Sequence, residues 1–172
     1  MNILSKTTIL AAVLALGACS SADRFGNSDA VDLNNSGVAG GALAGSPQDP
    51  TSAAYFQQTV GDRVLFAVDQ STLTPQGMAT LDGQAQWLST NVEYSAVIEG
   101  HADEQGTREY NLALGARRAN AVLEYLTAKG VATNRMKVIS YGKERPLEIC
   151  SEESCYAKNR RAVTVISVVP TS

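Results

Sequence analysis

Asp103 and Arg118 offer the most distinctive chemistry in this sequence, within the stretch from Val97 to Gly130, VIEGHADEQGTREYNLALGARRANAVLEYLTAKG. Asp103 falls in a polar turn, His101-Ala102-Asp103-Glu104-Gln105-Gly106. Arg118 comes about three turns into the helix that follows. If the turn folds back over the helix, the two residues flank one shallow groove with opposite charges. Such a groove suits a zwitterion, because a carboxylate receives an ammonium group and a guanidinium fork receives a carboxylate. The same two charges equally suit an ordinary intramolecular salt bridge.

The flanking residues show what must position this pair. Val97, Ile98, Glu99 and Gly100 form a β-prone run that ends at the turn. Thr107 is placed to cap a new helix, with Glu109 at the positive end of its dipole. Leu112, Ala116, Ala119, Leu123 and Leu126 repeat at three- and four-residue steps, which predicts one apolar face. Gly130 supplies the stop. His101 is the only histidine, and its neighbours Asp103 and Glu104 invite a metal or acid–base reading. It has no second histidine at HExxH spacing, and no serine or cysteine sits in a nucleophile elbow, so the pattern points to binding and not catalysis.

The rest of the domain follows in order. Arg63 to Val68 reads as a first strand ending in a turn at Asp69. Thr74-Pro75 is a helix start, and Met78, Leu81, Ala85 and Leu88 form its apolar stripe, with Trp87 at the edge. Asn91 ends that helix. Tyr94 to Glu99 is the second strand, Met136 to Tyr141 the third, and Arg161 to Val169 the last, with a short helix over Glu152 to Asn159. The order β-α-β-α-β-(short α)-β predicts a two-layer α/β sandwich, two main helices on a mixed four-stranded sheet.

The segment GHADEQGTREYNLALGARRANAVLEYL closely resembles the signature of OmpA-like peptidoglycan-binding domains. The blocks Ser140-Tyr141-Gly142-Lys143-Glu144-Arg145-Pro146 and Ala157-Lys158-Asn159-Arg160-Arg161-Ala162 agree with it, in order. The resemblance implies that Asp103 receives the ammonium group of diaminopimelate in a peptidoglycan stem peptide and that Arg118 receives its carboxylate. Asn111 and Leu114 would line the groove, and Phe66 with Asp69 matches a Phe-x-x-Asp block bordering it. Arg161 is a weaker candidate that could equally brace Asp69 or the last strand, while Arg117 and Arg160 read as solvated or salt-bridged. His101 would orient the turn. Loss of Asp103 or Arg118 is expected to strip wall binding and leave the fold intact. The resemblance further implies partners in the Tol system, TolB among them, and envelope roles at constriction and cell division. The alternative is an OmpA-like lipoprotein outside that system, acting only as a wall anchor or docking module. It implies no cofactor.

The amino terminus predicts how such a domain is held. Lys6 and the apolar run Thr8 to Leu16 read as a secretory signal, too short to span a bilayer. Leu16-Gly17-Ala18-Cys19 resembles a bacterial lipobox, so residues 1–18 would be removed and Cys19 acylated; an incidental cysteine after an ordinary signal is the competing reading. Ser20, by the same resemblance, favours the outer membrane, with the domain facing the periplasm. Residues 19–52 read as the lipidated terminus and a flexible Gly/Ala/Ser/Asn/Asp-rich linker, and residues 53–172 as the domain. A thirty-residue linker of this kind averages about 30 Å end to end. Cys150 and Cys155 flank four residues and, in an oxidising compartment, suit a local disulfide contributing about 2 kcal/mol or less. Zinc is the rival there, but nothing completes four ligands. A net charge of −3 and 6% aromatic content give no basic or stacking surface for nucleic acid.

Overall fold

The computed structural model describes residues 44–168; the expected signal peptide, Cys19 and the linker to residue 43 lie outside them, as does Val169. The described chain opens with α1 (Ala53–Tyr55), continued by π turns over Phe56–Gly61, then β1 (Arg63–Leu65) and α2 (Pro75–Thr90). It continues through β2 (Tyr94–His101), α3 (Arg108–Ala128), a 3₁₀ turn (Thr133–Arg135) and β3 (Met136–Gly142). It ends with α4 (Glu153–Asn159) and β4 (Arg161–Val168). The sheet order is β1-β4-β2-β3, with β4 antiparallel to both neighbours and β2 parallel to β3. This is the expected mixed sheet of four strands.

The helix boundaries follow the expected chemistry. The Thr74 hydroxyl accepts from the Gly77 N–H at 3.0 Å, and the Thr107 hydroxyl from the Tyr110 N–H at 3.2 Å. Gly130, at φ 98°, ends α3: its N–H donates to Thr127 O and the next N–H, of Val131, to Leu126 O. That pair of bonds is a Schellman closure, which needs a left-handed residue here. Leu81, Ala85 and Leu88 of α2 are buried as the stripe predicts. Arg135 then satisfies the end of α2, donating to Leu88 O, Asn91 O and Tyr94 O at 2.6–2.9 Å.

Three expectations change. The buried face of α3 is Asn111, Leu114, Gly115, Arg118, Ala119, Val122 and Leu126, whereas Leu112 is 46% exposed. The helix turns two polar side chains inward because each finds hydrogen-bond partners there, so counting apolar residues misplaces the stripe. The first strand stops at Leu65, short of Val68, because the carbonyls beyond it turn to other partners: Ala67 O and Gln70 O both accept from Arg118. Finally, Ser46 to Ser52, assigned to the linker, are bonded to the domain. The Trp87 indole N–H donates to Pro50 O at 2.8 Å and the Tyr94 hydroxyl to Thr51 O at 3.1 Å. Trp87 itself is buried between Phe56 and Tyr94, each ring centroid 4.9 Å away.

One contact places the site. Helix α3 lies so close on β2 that a Cβ on Gly100 would fall 1.8 Å from Gly115 O. The approach brings the first turns of α3 against the end of β2, where the polar turn begins.

Candidate functional site

Asp103 follows β2 by two residues and is nearly buried, at 8% exposure. Its Oδ1 accepts from the Gln105 N–H at 3.2 Å, an Asx turn that bends the chain toward α3. Its Oδ2 accepts from Arg160 Nη1 at 3.2 Å. The Asn111 side chain, on the buried face of α3, donates to Gln105 O at 2.6 Å and fixes the turn from below. Across from it, the turn after β1 carries Asp69 in a left-handed conformation, φ 57°, which Asp tolerates better than most residues. The Tyr110 hydroxyl donates to Asp69 Oδ1. That bond pushes the Tyr110 phenol above its ordinary value.

These elements enclose an open cleft of about 260 Å³ lined by Val68, Asp69, Asp103, Gln105, Gly106, Tyr110, Asn111 and Leu114. Four of the expected site residues, Asp69, Asp103, Asn111 and Leu114, therefore meet in one place. Arg118 and Phe66 lie among neither the lining nor the surface. Arg118 is fully buried, its guanidinium 5.3 Å above the Phe66 ring, and Phe66 is a core residue at 3% exposure. Arg118 donates to Gln70 O and His101 O at 2.8 Å and to Ala67 O at 3.1 Å. It thus ties the Asp69 turn to the end of β2. Burial pushes it down to about 10, with Asp103 and Asp69 pulling the other way, so it keeps its charge at neutral pH behind two carboxylates.

Arg161 belongs elsewhere. It is buried at the start of β4 and donates to Arg145 O and Asn159 O, bracing the loop after β3. The arginine that meets Asp103 is its neighbour, Arg160, read from the sequence as solvated or salt-bridged. It is salt-bridged to Asp103 and to Glu153, and buried at 5% exposure. Tyr110 and Gln105 also escaped notice as site residues; the one signal for Tyr110 was its place beside Asn111 and about one turn before Leu114 on the helix. Arg117 is exposed, 5.8 Å from the Tyr110 ring. Cys150 and Cys155 are joined by a disulfide, their Cα atoms 5.9 Å apart. Among the described residues no cluster of metal-ligating side chains occurs, and no helix is long and apolar enough to cross a membrane.

His101 is 2% exposed, and neither ring nitrogen has a hydrogen-bond partner among the described residues. Glu99 Oε2 is 3.7 Å from Nε2, too far for a hydrogen bond. Burial, then the charges of Arg161 and Arg145, push the imidazole down to about 4. The folded state thus favours neutral His101, and its contribution to stability is whole above pH 6.5 and is lost as pH falls toward 4. We expect urea unfolding to show about 2 kcal/mol less stability at pH 5 than at pH 7 from this group, and His101→Asn to flatten that slope. A wild-type stability unchanged between these pH values would contradict it.

Residues 65–160 match the profile of the OmpA family. The chain is 51% identical over 158 residues to the peptidoglycan-associated lipoprotein of Mesorhizobium japonicum, covering 92% of this chain and 89% of that one. It is 38% identical to the protein of the same name from Haemophilus influenzae, covering 95% and 98%. Among solved structures, the peptidoglycan-associated lipoprotein from Burkholderia pseudomallei superposes with a TM-score of 0.64 at 36% identity, covering 69% of this chain and all of that one. The C-terminal domain of Helicobacter pylori MotB, at 21% identity and a TM-score of 0.59, shares the fold. A profile that spans more than half of the chain, with full-length relatives on either side of it, leaves one assignment: the chain belongs to the OmpA family.

Proposed function

We propose that this chain is an outer-membrane lipoprotein that binds peptidoglycan noncovalently through the diaminopimelate of the stem peptide. The observation that carries the reading is the pairing of Asp69 and Asp103 on one small cleft with the buried charge of Arg118 behind them. An ammonium group entering between the two carboxylates gains charge-assisted hydrogen bonds. Arg118 commits three of its N–H donors to backbone carbonyls, and a guanidinium has five. The remaining two are buried with the side chain, so Arg118 would act on the ligand through its charge and through the turn it holds, not as a direct contact. The names borne by the relatives support peptidoglycan as the binding partner. Cys19 would carry the acyl anchor and the segment that follows would give reach to a periplasmic domain. No catalytic group is needed.

Two charge-assisted contacts on an open cleft suit a dissociation constant of about 1 μM, near −8 kcal/mol, with many tethered copies adding avidity. The test is co-sedimentation of the full chain, in detergent, with purified diaminopimelate-type sacculi. Asp103→Ala is expected to weaken binding about thirtyfold, roughly 2 kcal/mol for one charged hydrogen bond, while circular dichroism stays that of the wild type. Equal pelleting of both proteins would move the site elsewhere. We also assign the chain to the Tol–Pal system with TolB as a partner, acting in envelope constriction at division. Support comes from Lys143, which donates to Gly106 O at 2.7 Å and to Glu104 O at 3.3 Å and so unites two of the three blocks of the family resemblance on one surface. Co-purification with TolB tests it.

A further inference from the structure

The Cys150–Cys155 disulfide closes a short loop whose side chains hold the turn that bears Asp103. Ser151 Oγ and the Tyr156 hydroxyl both donate to Glu104 Oε1, at 3.1 and 2.8 Å. Glu153, at the first position of α4, pairs with Arg160, and Arg160 in turn donates to Asp103 Oδ2. Residues 151, 153 and 156 thus grip both Asp103 and Glu104, the first through Arg160 and the second directly.

Arg160 is also held by the backbone just past β1, its Nε donating to Phe66 O at 3.2 Å, but the amino-terminal end of α4 has few holds of its own. Helix α4 has seven residues, too few to persist by its own backbone bonds, and Glu152 caps it without a side-chain hydrogen bond. Ser151, Glu153 and Glu104 are exposed, so each contact alone is weak. At its carboxy-terminal end α4 is held independently: the Asn159 side chain bonds Leu147 N, Glu148 N and Glu148 O at 2.7–3.1 Å. At its amino-terminal end the covalent restraint is the disulfide, and Ser151 and Glu153 lie within the loop it closes. Opening it frees the end that reaches the turn and leaves the other end docked.

We propose that the segment Cys150–Tyr156 is a positioning element of the cleft, with Glu153, Ser151 and Tyr156 as positioning residues and the disulfide as the restraint that makes them effective. The proposal rests on the wall-binding reading for its ligand. A dithiol reductant opens the restraint by giving two electrons and two protons to the Sγ–Sγ bond, leaving two cysteine thiols while the reductant closes to its own disulfide.

The experiment uses the full chain in detergent, oxidised or treated with dithiothreitol, with the same sacculi as the probe. Reduction is expected to weaken binding about fivefold, equivalent to roughly 1 kcal/mol. A Cys150→Ser, Cys155→Ser double variant is expected to bind at the reduced level whether or not reductant is present. Glu153→Gln, with the disulfide intact, is expected to weaken binding similarly, and Glu153→Asp to restore part of it. Hydrogen–deuterium exchange separates positioning from general loosening: exchange should rise in peptides covering residues 99–110 and 147–156 and stay unchanged in α2. Equal binding in the oxidised and reduced states, or a rise in exchange across the whole domain, would overturn the proposal. If the oxidised wild type fails to bind sacculi, it is the wall-binding reading that falls. The exchange pattern still decides whether the loop holds the turn.

Discussion

Arg118→Ala is expected to destabilise the domain by about 3–5 kcal/mol, the range for removing one member of a buried charged network. The side chain is the largest fully buried one in the described domain, and its guanidinium donates to the carbonyls of Ala67, Gln70 and His101, of which Ala67 O also accepts from the Gln70 N–H. Ala67 and Gln70 are exposed and can rehydrate, but His101 is buried, so its carbonyl keeps the cost of an unmade bond. The Phe66 ring loses the cation above it as well. Arg118→Lys should recover only a small part, because an ammonium cannot reach three carbonyls with the planar fork that does so here. Equilibrium unfolding in urea reads both variants. An Arg118→Ala midpoint within about 1 kcal/mol of wild type would mean that loop and strand hold each other without the clamp. The expected loss would overturn the expectation that Arg118 can be removed with the fold intact. A free fork at the groove's edge can be removed without harm to the fold, whereas this one secures the turn that carries Asp69 to the strand that leads to Asp103. Loss of sacculus binding in Arg118→Ala alone therefore cannot identify a ligand contact, and Asp103→Ala is the cleaner probe.

The contrast between these two residues shows what the sequence makes legible. Caps and stops are local: Thr74 with Pro75, Thr107 and Gly130 each act within a few residues, and all fall where their chemistry requires. The sheet order β1-β4-β2-β3 is not local and was not read from the sequence, whereas the meeting of Asp69, Asp103, Asn111 and Leu114 was readable through the family resemblance, whose blocks carry the pairing of distant segments. Asn111 and Arg118 were both read as groove residues and neither as a core residue; Asn111 lines the cleft from a buried position, and Arg118 lies wholly in the core. Periodicity counts apolar side chains, and an arginine that finds three carbonyls inside a fold is invisible to that count. Arg160 and Arg161 show the remaining gap. Adjacent residues at the start of a strand point to opposite faces, and only the register of Leu65 against Arg161 and the docking of α4 decide which one meets Asp103.

Gly100→Ala is expected to destabilise the domain by about 3 kcal/mol or more, at the upper end for overpacking, because every close neighbour of the added methyl is part of the framework. Its Cβ would sit 1.8 Å from Gly115 O, 2.6 Å from Gly115 C and 3.1 Å from the Ala119 methyl. No rotamer change relieves a clash with backbone, so α3 must lift away from β2. Gly115→Ala makes the useful comparison. Its nearest neighbour, at 2.4 Å, is the Ser140 hydroxyl, which can rotate at the loss of its bond to Leu112 O; Gly100 O follows at 2.8 Å. The expected order is therefore Gly100→Ala worse than Gly115→Ala, with both well below wild type in thermal midpoint. The effect should reach the cleft, since the same approach brings Asn111 and Leu114 of α3 up to Asp103 beyond the end of β2. Lifting the helix loosens the hold of Tyr110 on Asp69 and of Asn111 on the Asp103 turn, so on the proposed reading any folded Gly115→Ala protein should bind sacculi more weakly than its stability alone predicts. Wild-type binding by a folded Gly115→Ala variant would show that the cleft tolerates a looser helix, and the positioning argument would then rest on the turn alone.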